Sequence, residues 1–178
     1  MSDFDVHRFV DDQIDVVRNA ISHEKALIAV SGGVDSTVAA VITRRAIGDN
    51  LVCAFIDDDF MRIGEPERVK KILLAPPLDL PVKILDERKR FMAALRGLGD
   101  AEEKRKAFRE TFYVTLGEAA RSEGCRCLVQ GTIKADVIET KGGLKTQHNV
   151  LEQMKIDTKE LYGFKVVEPL VSLYKNQG

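Results

Sequence analysis

The sequence predicts an α/β fold in which helices cover both faces of an open, mainly parallel sheet of five strands. Along its 178 residues, short apolar runs alternate with longer segments of helical periodicity, which is the order typical of a parallel sheet. One run, residues 26–30, is apolar without interruption, as in a strand that is covered on both faces. The length is that of one domain, and we interpret residues 1–178 as a single unit.

The first half of the chain divides into three helices and two strands. Apolar residues at helical spacing predict that the first helix has one buried stripe, formed by Val6, Val10, Ile14, Val17 and Ile21. After the strand at 26–30 we expect a helix over 36–47, which Gly48 ends, and then a second strand over 51–56. Pro66 suits the first turn of a third helix, where a missing N–H group does no harm.

The second half begins with three prolines that interrupt the chain before a third strand at 82–85. A long helix is predicted over 100–123, because Asp100 and the glutamate three residues later form a capping-box pattern. Its buried stripe consists of Phe108, Phe112, Leu116 and either Ala119 or Ala120. Two further strands are predicted at 127–130 and 164–167.

Composition argues against several classes of protein. The 27 basic and 28 acidic residues leave a formal charge of −1, which is not the balance of a protein that coats nucleic acid or a membrane surface. The first residues contain no apolar segment of the signal-peptide type, and three cysteines without such a signal favour a reducing, cytoplasmic location. If residues 125–127 form a strand, Cys125 and Cys127 face the same side, which suits burial better than a zinc site.

The segment SGGVDS, residues 31–36, connects the apolar strand at 26–30 to the next helix. Its glycines allow a close approach of backbone, and its hydroxyls, its N–H groups and the positive end of the helix would converge on one anion. The loop lacks the lysine of a P-loop and the spacing of a dinucleotide fold. Asp35 would repel a phosphate unless Mg²⁺ lies between them. The alternative is that Asp35 caps the helix and the glycines serve a tight turn.

SGGVDS after a strand resembles the pyrophosphate loop of the ATP pyrophosphatase (PP-loop) family, whose members cleave ATP between the α and β phosphates. Later segments are similar to the ATP pyrophosphatase domain of GMP synthetase. FIDDDFMR at 55–62 resembles FVDNGLLR, QGTIKADVIET at 130–140 resembles QGTIYPDVIES, and KTQHNV at 145–150 resembles KSHHNV. The matches keep their order over most of the chain, and they imply a sheet like that of the adenine nucleotide alpha-hydrolases.

The resemblance assigns a role to each matching residue of the site. Five loop residues would hold the β and γ phosphates that leave as pyrophosphate: Ser31, Gly32, Gly33, Asp35 and Ser36. Val34, between them, would also belong to the ATP-binding loop. Asp35 and Asp136 would be the partners of Mg²⁺, and together with Lys145 they form the implied catalytic set. Asp57 and Gly131 would border the adenosine.

Lys145 and His148 belong to a segment, residues 141–149, whose adjacent glycines and lack of periodicity predict a mobile loop. By the same resemblance, Lys145 would close over the phosphates and neutralise charge on the leaving group. His148 would orient this loop or the acceptor. The alternative interpretations are an ordinary solvated lysine and a surface histidine.

The resemblance implies a ligase that uses Mg·ATP to adenylylate xanthosine monophosphate (XMP), after which ammonia displaces AMP to give GMP. XMP and ammonia would be the substrates, a separate glutamine amidotransferase subunit the source of ammonia, and a homodimer one quaternary state. In this family a C-terminal domain for dimerisation and acceptor binding follows the sequence VEPL, and we expect these 178 residues to lack it.

Two alternatives remain open, because the departures from the family pattern cluster where the acceptor should bind. Gln147 replaces a histidine, residues 151–154 replace GGLP, and Arg109 replaces a glycine. The first alternative is a related PP-loop enzyme with another acceptor, such as a tRNA base that receives sulfur, for which Cys127 is the candidate thiol. The second is an ATP-binding module without its acceptor domain.

Overall fold

A parallel sheet in the order β3-β2-β1-β4-β5 organises the chain. The computed structural model describes residues 4–133 and 164–173. Within them the strands are β1 (Ala26–Ala29), β2 (Leu51–Asp57), β3 (Val82–Asp86), β4 (Cys127–Val129) and β5 (Lys165–Val167). The helices are α1 (Val6–Ile21), α2 (Val34–Ile47), α3 (Glu65–Leu74), α4 (Arg88–Leu95) and α5 (Ala101–Ser122). Every strand pair is parallel, so the predicted fold class is confirmed.

Helices cover the sheet on both faces, and the alternation of side chains along each strand decides which helices a residue meets. On one face, Ile28 and Val129 belong to a core cluster with residues of α1, α2 and α3, among them Val17, Ile42 and Leu73. On the other face, Leu27 and Leu128 pack with residues of α4 and α5, namely Phe91, Leu116 and Ala120. This double cover explains why β1 contains no polar residue.

The strand order reverses direction between β1 and β4. The chain first adds β2 and β3 on one side of β1, and it then crosses to the other side to add β4 and β5. Because Ile28 is in register with Val129, the segments that follow β1 and β4 leave the carboxyl edge of the sheet side by side. In open α/β sheets this point is where ligands bind.

Most of the predicted boundaries are confirmed to within one residue. Asp100 caps α5, since its Oδ1 accepts the N–H groups of Glu102 at 2.9 Å and Glu103 at 3.0 Å. Pro66 lies in the first turn of α3, and Gly48 ends α2. The predicted stripe of α5 also packs on the sheet.

Two predictions about helices were wrong, and one helix was not predicted. α2 begins at Val34, two residues earlier than expected. Val6 is 53% exposed, because the first turn of α1 extends past the cluster that buries Val17 and Ile21. The unpredicted α4 is short and is stabilised by tertiary contacts. Its Phe91 is fully buried, and Arg90 donates two hydrogen bonds to Glu118 of α5 at 2.7 and 3.0 Å.

Cys125 and Cys127 face opposite sides of the sheet, because the strand that would have placed them on one side begins only at Cys127. Cys125 precedes β4 in an irregular segment, and it packs among the residues under α4 and α5. Cys127 begins the strand and packs with the cluster on the opposite face. Both thiols and that of Cys53 are free and buried, as the sequence predicted.

None of the helices in the described ranges is long and apolar enough to cross a membrane.

We predict that Gly131→Ala destabilises the protein at the contact between the segment after β4 and the first turn of α2. A Cβ at this position would lie 2.8 Å from the carbonyl carbon and oxygen of Asp35 and 2.9 Å from the nitrogen of Ser36. These atoms are backbone and cannot rotate away, so the variant should lose about 1–3 kcal/mol of unfolding free energy, as overpacked cores do. Chemical denaturation measures this loss.

Gly99→Ala is the matched control, because an added Cβ there meets no atom within 4 Å and its backbone does not require glycine. It should leave the unfolding midpoint unchanged. Equal midpoints for Gly131→Ala and the wild-type chain would contradict the proposed packing of β4 against α2.

Candidate functional site

The loop between β1 and α2 is held in shape by its own hydroxyl groups. The hydroxyl of Ser36 donates to the carbonyl oxygen of Gly33 at 3.1 Å and accepts the N–H of Ser31 at 3.3 Å. The Ser31 hydroxyl lies 3.2 Å from that of Ser36, and it accepts the N–H of Gly33 at 3.4 Å. The two serines therefore hold both ends of the loop together.

The first backbone N–H groups of α2 lie at the end of this loop. The helix begins after Gly33, which supplies no side-chain acceptor for the first turn. Thr37 bonds back to the Gly33 carbonyl through its N–H at 3.1 Å and its hydroxyl at 2.8 Å. By helix geometry, the N–H groups of the preceding residues have no acceptor within the helix. Together with the positive end of the helix dipole, they form a cradle for an anion.

Asp35 does not cap α2. The capping position belongs to Gly33, and Asp35 lies inside the first helical turn with its side chain exposed. The alternative interpretation of this residue as a helix cap is therefore wrong. A carboxylate beside an anion cradle is a hard oxygen donor of the kind that binds Mg²⁺.

Gly32 needs to be glycine for two reasons. Its φ of +78° lies in the left-handed region, and a Cβ would come within 2.8 Å of Cγ2 of Val69 on α3. The loop therefore packs directly on Val69 of α3.

The segment after β4 forms the opposite wall of the cradle. Gly131, a predicted site residue, is buried against the backbone of Asp35 and Ser36. The structure thus brings the SGGVDS loop and the start of QGTI together at the switch point of the sheet. Gln130 and Thr132, on either side of Gly131, are polar but buried.

Asp57, which the resemblance placed beside adenosine, ends β2 at the same edge of the sheet. Its Oδ1 accepts the N–H of Asp59 at 3.3 Å, and its Oδ2 lies 3.6 Å from Nε of Arg88. Arg88 also donates two hydrogen bonds to Asp86, at 2.8 and 2.6 Å. These bonds are the main reason why the pKa of Asp86 is lowered to about 2. The sequence analysis did not name Arg88. Its position just after the end of β3 could have indicated it, because residues that follow parallel strands lie at the same edge of the sheet as Asp57.

Three of the predicted site residues, Asp136, Lys145 and His148, lie outside the described residues. So does the predicted loop at 141–149. In residues 4–133 and 164–173, no group of three histidine, cysteine, aspartate or glutamate side chains is placed to hold a metal ion. Asp35 is the predicted metal partner that the structure locates.

The three cysteines are unsuited to nucleophilic chemistry. Burial raises the pKa of Cys53 to about 12 and the pKa values of Cys125 and Cys127 to about 11. Cys127 is in register with Ala26, the first residue of β1, so it lies at the amino edge of the sheet, away from the cradle. Its Sγ donates to Oε2 of Glu24 at 3.5 Å, a bond that further favours the protonated thiol.

Comparisons with known proteins agree with this architecture. A family model described as NAD synthase matches residues 6–106, more than half of the chain. Two solved structures share the fold at 17% sequence identity. The first is the NH3-dependent NAD synthetase from Campylobacter jejuni, with a TM-score of 0.72. The match covers 98% of this chain and 70% of the synthetase. The NMN synthetase from Francisella tularensis has a TM-score of 0.71, with 98% and 68% coverage.

Curated relatives are more similar in sequence. A glutamine-hydrolyzing GMP synthase subunit from Sulfurisphaera tokodaii is 49% identical over 175 residues, which are 98% of this chain and 46% of that protein. The corresponding GMP synthase subunit from Methanopyrus kandleri is 47% identical over 177 residues, covering 98% and 54%. The chain spans about half the length of these relatives.

The family model and these relatives have the pyrophosphate-loop region in common. The matched residues 6–106 contain β1, the SGGVDS loop and α2, and the similarity to the GMP synthase subunits continues through β4 and QGTI. The resemblance inferred from the sequence is confirmed: the chain belongs to the PP-loop family of ATP pyrophosphatases that the NAD synthase model represents.

Proposed function

We propose that this chain is the ATP pyrophosphatase part of a GMP synthase. In this reaction the C2 oxygen of XMP attacks the α phosphorus of ATP, and pyrophosphate leaves. Ammonia then adds at C2, and AMP departs with the former C2 oxygen, which yields GMP. The observation that carries the proposal is the contact between the anion cradle and the Gly131 segment. Both walls of that contact fall within the 98% of this chain that is similar to GMP synthase subunits.

The cradle suits the pyrophosphate end of ATP. The hydroxyls of Ser31 and Ser36 hold the loop in shape, and the first turn of α2 supplies N–H groups that have no acceptor within the helix. Negative charge grows on the β and γ phosphates as they leave, and fixed donors with the positive helix end would stabilise it. Asp35 would bind the Mg²⁺ that bridges carboxylate and phosphate oxygens.

Further residues have proposed roles at the edges of this cradle. Asp136 would supply a second carboxylate to Mg²⁺, and Lys145 would neutralise charge on the departing pyrophosphate. His148 would orient the acceptor or the segment that bears Lys145. Asp57, held by Arg88, would border the adenosine at the end of β2.

Ammonia would reach the intermediate from a separate glutamine amidotransferase subunit. This partner is inferred from the names of the relatives, which call them glutamine-hydrolyzing and describe each as one subunit of its synthase. The same similarity is the basis for proposing a cytoplasmic protein that forms a homodimer.

The alternative of sulfur transfer to a tRNA base requires a reactive cysteine beside the cradle. Cys127, its candidate, lies at the opposite edge of the sheet and bonds to Glu24. The positions of these groups therefore favour the GMP synthase assignment over thiolation. The other alternative, an ATP-binding module without its acceptor domain, predicts that the chain binds ATP but forms no AMP or GMP.

We predict that Asp35→Asn weakens binding of ATP about tenfold in the presence of Mg²⁺, because an amide keeps the size of the carboxylate but loses its charge. The difference should reverse when a chelator removes Mg²⁺, since the wild-type carboxylate then repels the phosphates and the neutral amide does not. Isothermal titration calorimetry under both conditions measures the effect. Equal affinity of the two proteins for Mg·ATP would contradict the role of Asp35.

We predict that ATP, XMP and ammonia yield AMP, pyrophosphate and GMP in equal amounts. With XMP labelled by ¹⁸O at C2, the label should appear in the phosphate of AMP, because the adenylylated oxygen leaves with that group. Mass spectrometry of the AMP tests this route. ADP as the sole nucleotide product, or AMP without the label, would refute it.

We predict that the native chain resists alkylation of its thiols at pH 8. A pKa of about 11 leaves about one thiolate in a thousand at that pH, and burial blocks access to it. Iodoacetamide should label the cysteines only after denaturation. Cys127→Ala should retain AMP formation, and fast labelling or a loss of that activity would restore the thiolation alternative.

A further inference from the structure

We infer that the side-chain oxygen of Gln130, Oε1, accepts a hydrogen bond from the nucleoside part of the bound ATP. This assignment rests on the proposed function, because it takes ATP as the ligand of the cradle. It adds a specificity-determining residue that motif matching did not single out.

The first observation is an unsatisfied polar atom. Gln130 is 7% exposed, and in the part of the chain that the structure describes its Oε1 has no hydrogen-bond partner. A buried carbonyl oxygen without a partner loses its hydrogen bonds to water on folding and gains none in return. Natural proteins keep few such atoms, and a ligand that supplies the missing donor is one physical explanation for this one.

The second observation is the position of Gln130 at the ligand crevice. Its N–H donates to the carbonyl oxygen of Val167 at 3.0 Å, which continues the β4–β5 pairing one residue past the strand. The next residue, Gly131, lies against the first turn of α2. Gln130 is therefore at the carboxyl edge of the sheet, one residue from the wall of the anion cradle.

Strand alternation places the side chain opposite α2. Leu128 packs on the face covered by α4 and α5, and Gln130 is two residues further along, so its side chain leaves the backbone toward that same face. Gly131 approaches α2 on the other face. A nucleotide whose phosphates lie at α2 would cross the carboxyl edge toward Gln130 with its sugar and base.

The chemistry of Oε1 selects which part of the ligand it contacts. A carboxamide oxygen only accepts hydrogen bonds, and the oxygens of an ionised triphosphate also only accept them. The donors that ATP itself carries are the exocyclic amino group of adenine and the two ribose hydroxyls, and we assign one of these nucleoside groups as the partner of Oε1. Water on Mg²⁺ is also a donor, but Mg·pyrophosphate carries such water too, so a loss of affinity confined to ATP distinguishes the two.

Calorimetric titration of the wild-type chain and Gln130→Met tests the assignment. Methionine keeps the length of glutamine and removes its hydrogen-bonding atoms. The ligands are ATP, inosine triphosphate, the 2′-deoxy and 3′-deoxy analogues of ATP, and pyrophosphate, each with Mg²⁺. We expect the variant to bind ATP about 5–30-fold more weakly and pyrophosphate equally well. The analogue that lacks the partner donor should bind both proteins alike.

A thermal melt without nucleotide separates this role from a structural one. Because Oε1 is unpaired among the described residues, Gln130→Met should melt at the wild-type temperature or above it. A lower melting temperature, or an equal loss of affinity for pyrophosphate, would overturn the assignment.

The wild-type chain alone gives an independent test: equal affinity for ATP and all three analogues would mean that no nucleoside donor is read. A chain that binds ATP, makes AMP and shows no effect of Gln130→Met refutes the role of Gln130 and leaves the proposed function intact. A wild-type chain that does not bind ATP refutes both.

Discussion

The contact between Gly131 and the first turn of α2 is the constraint on which the site depends. Only a residue without a Cβ lets the backbone after β4 lie against the carbonyl of Asp35 and the nitrogen of Ser36. This approach closes the gap at the point where the strand order reverses. Two segments that are far apart in sequence, the SGGVDS loop and the start of QGTI, become the two walls of one crevice.

Charge at the carboxyl edge of the sheet is divided between two kinds of group. Near β1, the positive end of α2 and exposed N–H groups favour an anion, with Asp35 beside them. Near β2 and β3, Arg88 is shared by Asp57 and Asp86, so the carboxylates there already have a cationic partner. The first region therefore favours a phosphate, and in the second region one arginine is paired with two carboxylates.

Local chemistry accounts for what the sequence predicted. The apolar run of β1, Pro66 in the first turn of α3 and the cap at Asp100 each depend on neighbours in sequence, and each was confirmed. Helix α4 was missed because its stability comes from Phe91 and Arg90 contacts with α5, which no local pattern contains. The glycines and serines of the loop predicted an anion cradle, and that role stays a prediction. The sequence assigned no role to Arg88 or Gln130, because their surroundings come from strands that meet only in the folded sheet.

The hydrogen bonds between Ser31, Ser36 and Gly33 have a consequence for the energetics of binding. They order the loop as part of folding, so a phosphate that arrives does not have to bear the entropy of arranging it. Preorganisation of this kind raises affinity without adding a contact to the ligand. The two serine hydroxyls would therefore contribute to binding without touching the ligand, by limiting the number of conformations that the empty loop can adopt.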